Sequence, residues 1–183
     1  MKKLLIGLAL LLTAGCGPWL RTGGPCTMES QGFGVDLPDG WMRSNTGKFL
    51  LVTRDGVLLQ KIAARRIDLA AEKQFTHTRK RVTSGMFPQE VAEVVLDDFQ
   101  SDAGNLHLAV EENGPATVAG KQGFKVRLAY LTKGGLPYRC ACYGFVSGNW
   151  LYLIFYNAPQ RYYFDKDAAA FEGIVKSFRL TAS

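Results

Sequence analysis

Histidine is nearly missing from this chain, His77 and His107 being the only two in 183 residues. Neither lies at a helical or hairpin spacing from the other or from the cysteines, so a metal site built on imidazoles is not expected. There is no Gly-x-Ser-x-Gly elbow, no His-Glu-x-x-His pair and no glycine loop of the kind that cradles phosphate, which removes the enzyme classes those motifs mark. Gly32-Phe33-Gly34 has no dinucleotide fingerprint behind it. The adjacent carboxylates Asp97-Asp98 and Glu111-Glu112 are aimed apart by a helix or a strand instead of at one bond. These absences predict a non-enzyme with no cofactor and no resident metal. Repeats and low-complexity tracts are also absent, and the apolar run at residues 4–12 falls short of the ~20 residues that cross a bilayer.

What the N-terminus does contain is an address. Lys2 and Lys3 precede the apolar run, which ends in Leu12-Thr13-Ala14-Gly15-Cys16. This resembles the bacterial lipobox, whose cysteine is acylated on its thiol and becomes the new N-terminus. A buried helix is the competing reading, but Gly7, Gly15, Gly17 and Pro18 interrupt it and it has no polar face. The expected organisation is a signal peptide at 1–15, a lipidated N-terminus and tether at 16–26, and one globular domain at 27–183. Acyl chains on Cys16 contribute about 0.8 kcal/mol per buried methylene, enough to hold the protein on a membrane without spanning it. Trp19 and Leu20 are expected at the lipid interface. Gly17 stands where an aspartate would resemble an inner-membrane retention signal, so the resemblance implies an outer membrane, facing the periplasm, in a two-membrane bacterium.

Within the domain, Phe33, Val35 and Leu37 alternate with Gly34 and Asp36 before Pro38-Asp39-Gly40 and Trp41, a strand running into a turn. Residues 48–54 and 57–66 read as a hairpin about Asp55-Gly56. Ala71, Phe75, Thr78 and Val82 recur at helical spacing, and a second helix is expected at 88–100, with Pro88 in its first turn and Val91, Val94, Val95 and Phe99 on one face. Runs at 106–110, 124–131, 138–147 and 150–157, separated by glycine-bearing turns, predict an antiparallel meander. Asp165 is expected to cap a last helix through Phe171, Ile174, Val175 and Phe178. The element order implies an α+β fold, an antiparallel sheet covered by helices.

These elements carry a resemblance. Phe-Gly-Val-Asp-Leu-Pro-Asp-Gly-Trp at 33–41, the glycine-marked strand at 120–128, the apolar strand at 150–159 and the closing stretch at 171–180 are similar to the Mog/PsbP-like superfamily. The resemblance implies an α/β/α sandwich without common catalytic residues, in proteins that act mainly as binding or assembly factors. It transfers no functional residue.

Charge is uneven along the chain. Lys61, Arg65, Arg66, Lys73, Arg79, Lys80 and Arg81 crowd residues 61–81, whereas residues 82–120 contain no Lys or Arg and collect Glu90, Glu93, Asp97, Asp98, Asp102, Glu111 and Glu112. One reading puts Arg65, Arg66, Arg79, Lys80 and Arg81 against anionic headgroups, each contributing about 1 kcal/mol, with an acidic face turned to an envelope protein partner. In the other the two blocks are solvated neighbours, or face each other and cancel. Nucleic acid is not an expected partner, because the basic residues are not interleaved with stacking aromatics.

Besides Cys16, the thiols are Cys26, Cys140 and Cys142, an odd number. Three readings stay open. Cys26 bridges one of the pair, closing a long loop for ~4–5 kcal/mol; Cys140 and Cys142, on one face of a strand, bind copper(I) or cycle with oxidant; or the pair are small core residues. Trp150, Tyr152, Tyr156, Tyr162 and Tyr163 either line a ligand groove near the end of the sheet or belong to the core.

Overall fold

A computed structural model describes residues 19–181. Cys16 and the expected signal peptide lie outside the described residues. In chain order the elements are β1 (Trp19–Arg21), β2 (Gly24–Met28), a 3-10 turn (Glu29–Gln31), β3 (Phe33–Leu37), β4 (Met42–Ser44), β5 (Leu50–Thr53) and β6 (Lys61–Asp68). There follow α1 (Pro88–Ser101), β7 (Leu106–Val118), β8 (Lys121–Leu131), β9 (Pro137–Ser147), β10 (Trp150–Pro159), α2 (Tyr163–Lys176) and β11 (Arg179–Leu180).

The long strands form an eight-stranded antiparallel sheet in the order β1-β4-β5-β6-β10-β9-β8-β7, and β11-β3-β2 form a second, three-stranded sheet. The expected meander is its backbone: β7, β8, β9 and β10 pair as successive hairpins. Ala119 and Gly120 at the β7–β8 turn both have positive φ, as a tight hairpin requires.

Because strand side chains alternate, each central strand serves two cores. In β10, Leu151, Leu153 and Phe155 face α1 while Tyr152, Ile154 and Tyr156 face α2 and the small sheet. In β9, Cys140 and Cys142 join the α1 side, and Ala141, Tyr143 and Phe145 the other. Gly144 has no side chain because Phe124 and Leu153 fill that space; a Cβ there would lie 2.4 Å from the Phe124 ring. On the α2 side Phe33 stacks on Phe178 at 4.7 Å, and Phe178 meets Phe145 and Tyr152 edge-on. α1 buries Val91, Ala92, Val94, Val95 and Leu96, and Glu90 closes its start by accepting the Phe87 N–H at 2.6 Å.

Several expectations change here. The α/β/α sandwich reduces to a mostly antiparallel sheet with one helix on each face, because the small sheet shares one face with α2 and an irregular arm shares the other with α1. That arm, residues 71–87, replaces the helix expected from Ala71 to Val82. Gln74 explains why: its buried amide bonds the Leu69 and Val82 carbonyls and the Val82 N–H, and Asp98 of α1 takes the N–H groups of His77 and Thr78, so side chains satisfy what helical carbonyls would. The β5–β6 connection is a seven-residue loop, not a two-residue hairpin, since Thr53 Oγ1 holds the Gln60 carbonyl at 2.7 Å and the Gly56 N–H at 3.0 Å across it. Of the tether expected at 16–26, the described part from residue 19 lies largely in strands: β1 pairs β4 and β2 pairs β3. α2 starts at Tyr163, ahead of Asp165, and ends before Phe178.

Candidate functional site

The residues singled out by charge do not form one surface. Lys80 pairs with Asp97 at 2.7 Å, His77 lies 3.6 Å from Asp102, and Arg81 is held by the Leu69 and Ala71 carbonyls. The basic arm therefore lies across the acidic flank of α1, where Lys80 and Asp97 pair directly. Neighbouring positions on β6 point to opposite faces. Arg66 stacks over Trp150 at 3.9 Å, whereas Arg65 lies on the α1 side with Lys61. A joint anionic-surface contact by Arg65, Arg66, Arg79, Lys80 and Arg81 is not what this geometry provides.

The cysteines are separated too. Cys26, Cys140 and Cys142 are free thiols, with Cys26 packed against the α2-side core and the other two fully buried on the α1 side. The main sheet stands between them, so the bridge weighed from the sequence is not formed. Cys140 and Cys142 do share a face, but burial pushes Cys140 up to about 12 and raises Cys142 well above a free thiol. Both are protonated at neutral pH, whereas a copper ligand or redox nucleophile works as a thiolate. No group of three or more potential metal ligands occurs among the described residues.

Of the aromatic set, Tyr152 and Tyr156 are core, and Trp150 and Tyr163 are half-buried. Only Tyr162 stands free, 65% exposed. Leu58 (85% exposed) and Leu136 (50%) are likewise exposed apolar side chains, in the loops at the end of the sheet where β6 and β9 begin and β10 ends. Isolated exposed leucines are ordinary, but these are held in place. The Tyr138 hydroxyl donates to the Leu58 carbonyl at 2.7 Å, and the Gln160 N–H to the Pro137 carbonyl at 2.9 Å. Tyr162 has φ +73° and ψ −58°, with the Tyr163 N–H bonded to the Arg161 carbonyl at 3.0 Å. This is a γ-turn, a strained conformation that persists only when its surroundings over-determine it.

What determines it sits behind the surface. Lys166 Nζ is 2.6 Å from Asp55 and lies over the rings of Tyr162 and Tyr163 at 5.5 and 5.7 Å. Its hydrogen bond to Asp55 raises its pKa. Asp167, only 2% exposed, accepts from Arg54 and from Gln60, each at 3.2 Å, tying the β5–β6 loop to α2. Tyr156 donates to the Tyr163 and Phe164 carbonyls, and burial moves its phenol above the ordinary range. Sequence reasoning had Tyr162 and missed Leu58, Leu136, Tyr138 and Asp167. The available signal was a leucine pair beside Asp55-Gly56, too apolar for a hairpin tip.

No family model matches the chain, and no curated protein matches it. Solved structures do. Cyanobacterial PsbP (CyanoP) from Synechocystis sp. PCC 6803 superposes with a TM-score of 0.61 at 11% identity, covering 91% of this chain and 95% of that one. The Ran-binding protein Mog1p of Saccharomyces cerevisiae gives 0.58 at 10% identity, over 88% and 96%. LpqN, involved in cell envelope biogenesis of Mycobacterium tuberculosis, gives 0.54 at 13%, over 91% and 93%. The fold is Mog/PsbP-like, and at these identities the likeness concerns the fold.

Proposed function

We propose that this protein is a non-catalytic binding module of the bacterial cell envelope, lipid-anchored through Cys16 after removal of residues 1–15, that docks an envelope protein through the Leu58–Leu136–Tyr162 surface. In a two-membrane bacterium the anchor is in the outer membrane and the domain faces the periplasm. The observation that carries the docking is the support behind three exposed apolar side chains: a γ-turn, an Asp55–Lys166 ion pair and the buried Asp167 node. Rigid aromatic and aliphatic anchors of this kind lose little entropy on binding. Lys133 and Arg161 flank the surface without ion pairs among the described residues, so the fitting partner surrounds an apolar centre with carboxylates. That solved neighbours include a Ran-binding protein and a protein of envelope biogenesis supports the reading.

The test has two arms. Intact mass of the membrane-extracted protein is expected to show loss of residues 1–15 and acyl mass on Cys16, both abolished by Cys16→Ser. A photo-crosslinker at Leu58 or Tyr162 is expected to trap one envelope protein, whereas the same probe at Thr117, on the edge strand, does not. An unprocessed chain overturns the anchor, and equal trapping at all three positions overturns the docking surface.

A further inference from the structure

On the α1 side of the sheet, between α1, the arm and β6, lies a cleft of about 340 Å³. Its floor is apolar: Leu153 and Phe75 are buried there, and Phe99 meets Phe155 edge-on at 5.9 Å. Its open wall is basic. β6 pairs β10 with Lys61 opposite Asn157 and Arg65 opposite Leu153, placing both cations at the cleft.

What sets this wall apart is a buried guanidinium nitrogen with no partner among the described residues. Arg65 Nε is shut off from solvent and makes no hydrogen bond among the described residues, and neither Arg65 nor Lys61 forms an ion pair there. Arg127 Nε is also without a hydrogen bond, but it lies 3.4 Å from Glu111. The cleft has two carboxylates of its own, and both are committed elsewhere. Asp98 holds the His77 and Thr78 N–H groups at 2.7 and 3.0 Å; Asp102 holds the Gly104 N–H at 2.8 Å and faces His77. The Tyr130 hydroxyl donates to the Asn157 carbonyl oxygen at 3.3 Å, which leaves the Asn157 amide N–H groups as further donors toward the cleft. A buried donor without an acceptor is unfavourable, and such a donor is met by a protein group, an ordered water or a ligand.

We propose that this cleft binds a small amphipathic anion, its phosphate or carboxylate on Arg65 and Lys61 and its apolar body along Phe75, Phe99 and Phe155. The volume lies at the small end of the ~300–1,000 Å³ range of ligand pockets, room for a short chain or a single ring system. Shape and charge both enter: the guanidinium supplies a planar fork for oxyanions, the lysine a point charge, and the floor selects for an apolar body.

The experiment is calorimetry on the purified full chain carrying Cys16→Ser, so that no acyl chain of its own competes for the cleft. Octyl phosphate is the probe, with octyl glucoside testing the apolar body alone and inorganic phosphate the anion alone. Octyl phosphate is expected to bind at least tenfold more tightly than either control, to raise the melting temperature, and to weaken tenfold or more in Arg65→Gln and several-fold in Lys61→Gln. Arg79→Gln, on the arm outside the cleft, is expected to bind as the parent does. Ala63→Trp, at a position that lines the cleft between Lys61 and Arg65, would fill it and is expected to abolish binding while circular dichroism stays native. Sedimentation with phosphatidylglycerol vesicles separates the sources: Arg65-dependent sedimentation assigns the anion to a lipid headgroup, and Arg65-dependent calorimetry without sedimentation assigns it to a free amphiphile. Equal affinity for octyl glucoside, or octyl phosphate binding unchanged in Arg65→Gln, overturns the proposal. Loss of the docking surface in Leu58 variants leaves these outcomes unaffected, so the two readings fail separately.

Discussion

Replacing Asp167 with alanine tests whether the β5–β6 loop is really built on α2. The carboxylate is buried at 2% exposure and accepts from Gln60, itself 1% exposed, and from Arg54, whose side chain is half exposed. Removing it leaves the Gln60 amide buried without its acceptor, a cost of ~1–3 kcal/mol. Arg54 regains water, so its ion pair contributes less, ~1 kcal/mol after screening. The expected loss is about 3 kcal/mol, or a fall of roughly 6–12 °C in melting temperature for a domain of this size. Urea unfolding measures the first quantity and calorimetry the second. Hydrogen exchange should localise the change: the Leu59 and Gln60 amides, bonded to the Gly56 carbonyl, are expected to exchange faster, while those of β9 stay protected. Pairing Asp167→Ala with Gln60→Ala should give a coupling of ~0.5–3 kcal/mol. A loss under ~0.5 kcal/mol, or additivity in the double variant, would refute the argument that this node holds the loop.

Two further outcomes follow from the core. Cys140 and Cys142 are expected to resist alkylation at pH 8 in the folded protein and to react after unfolding, with Cys26 modified first; equal rates for all three would contradict their burial. Since their folded pKa values are raised above the unfolded ~8.5, with Cys140 at about 12, the folded state binds more protons in that window. Their contribution to stability is therefore whole below pH ~8.5 and is lost as pH rises toward 12, and Cys140→Ala with Cys142→Ala should flatten that fall. Gly144→Ala forces a methyl to within 2.4 Å of the Phe124 ring and 2.8 Å of Leu153, and is expected to destabilise by ~1–3 kcal/mol in denaturant titrations; a neutral result would mean the two side chains move aside freely.

The elements that read correctly from the sequence are those with local causes. Alternation in β8, β9 and β10, the tight glycine turns between them, and the valine stripe and Pro88 of α1 all act within a few residues. The arm at 71–87 misled because helical spacing of Ala71, Phe75, Thr78 and Val82 says nothing about Gln74, whose amide holds the backbone in another shape. Tyr162 was visible as an aromatic but not as a strained one, since its φ is imposed by the surrounding structure.

By itself the sequence determined the β7–β10 meander, α1, the α+β class, and the shared face of Cys140 and Cys142, because these depend on period and turn chemistry alone. The residues that resemble a lipobox, 12–16, are likewise legible in the linear chain alone. Only the tertiary structure decided which distant groups meet: Asp167 with Arg54 and Gln60, the basic arm with the acidic helix, and Arg65 with an apolar floor and no acceptor. Such meetings are set by how sheet, helices and arm pack together, and a side chain's pairing, burial or isolation is a property of that packing, which neighbours in sequence do not encode.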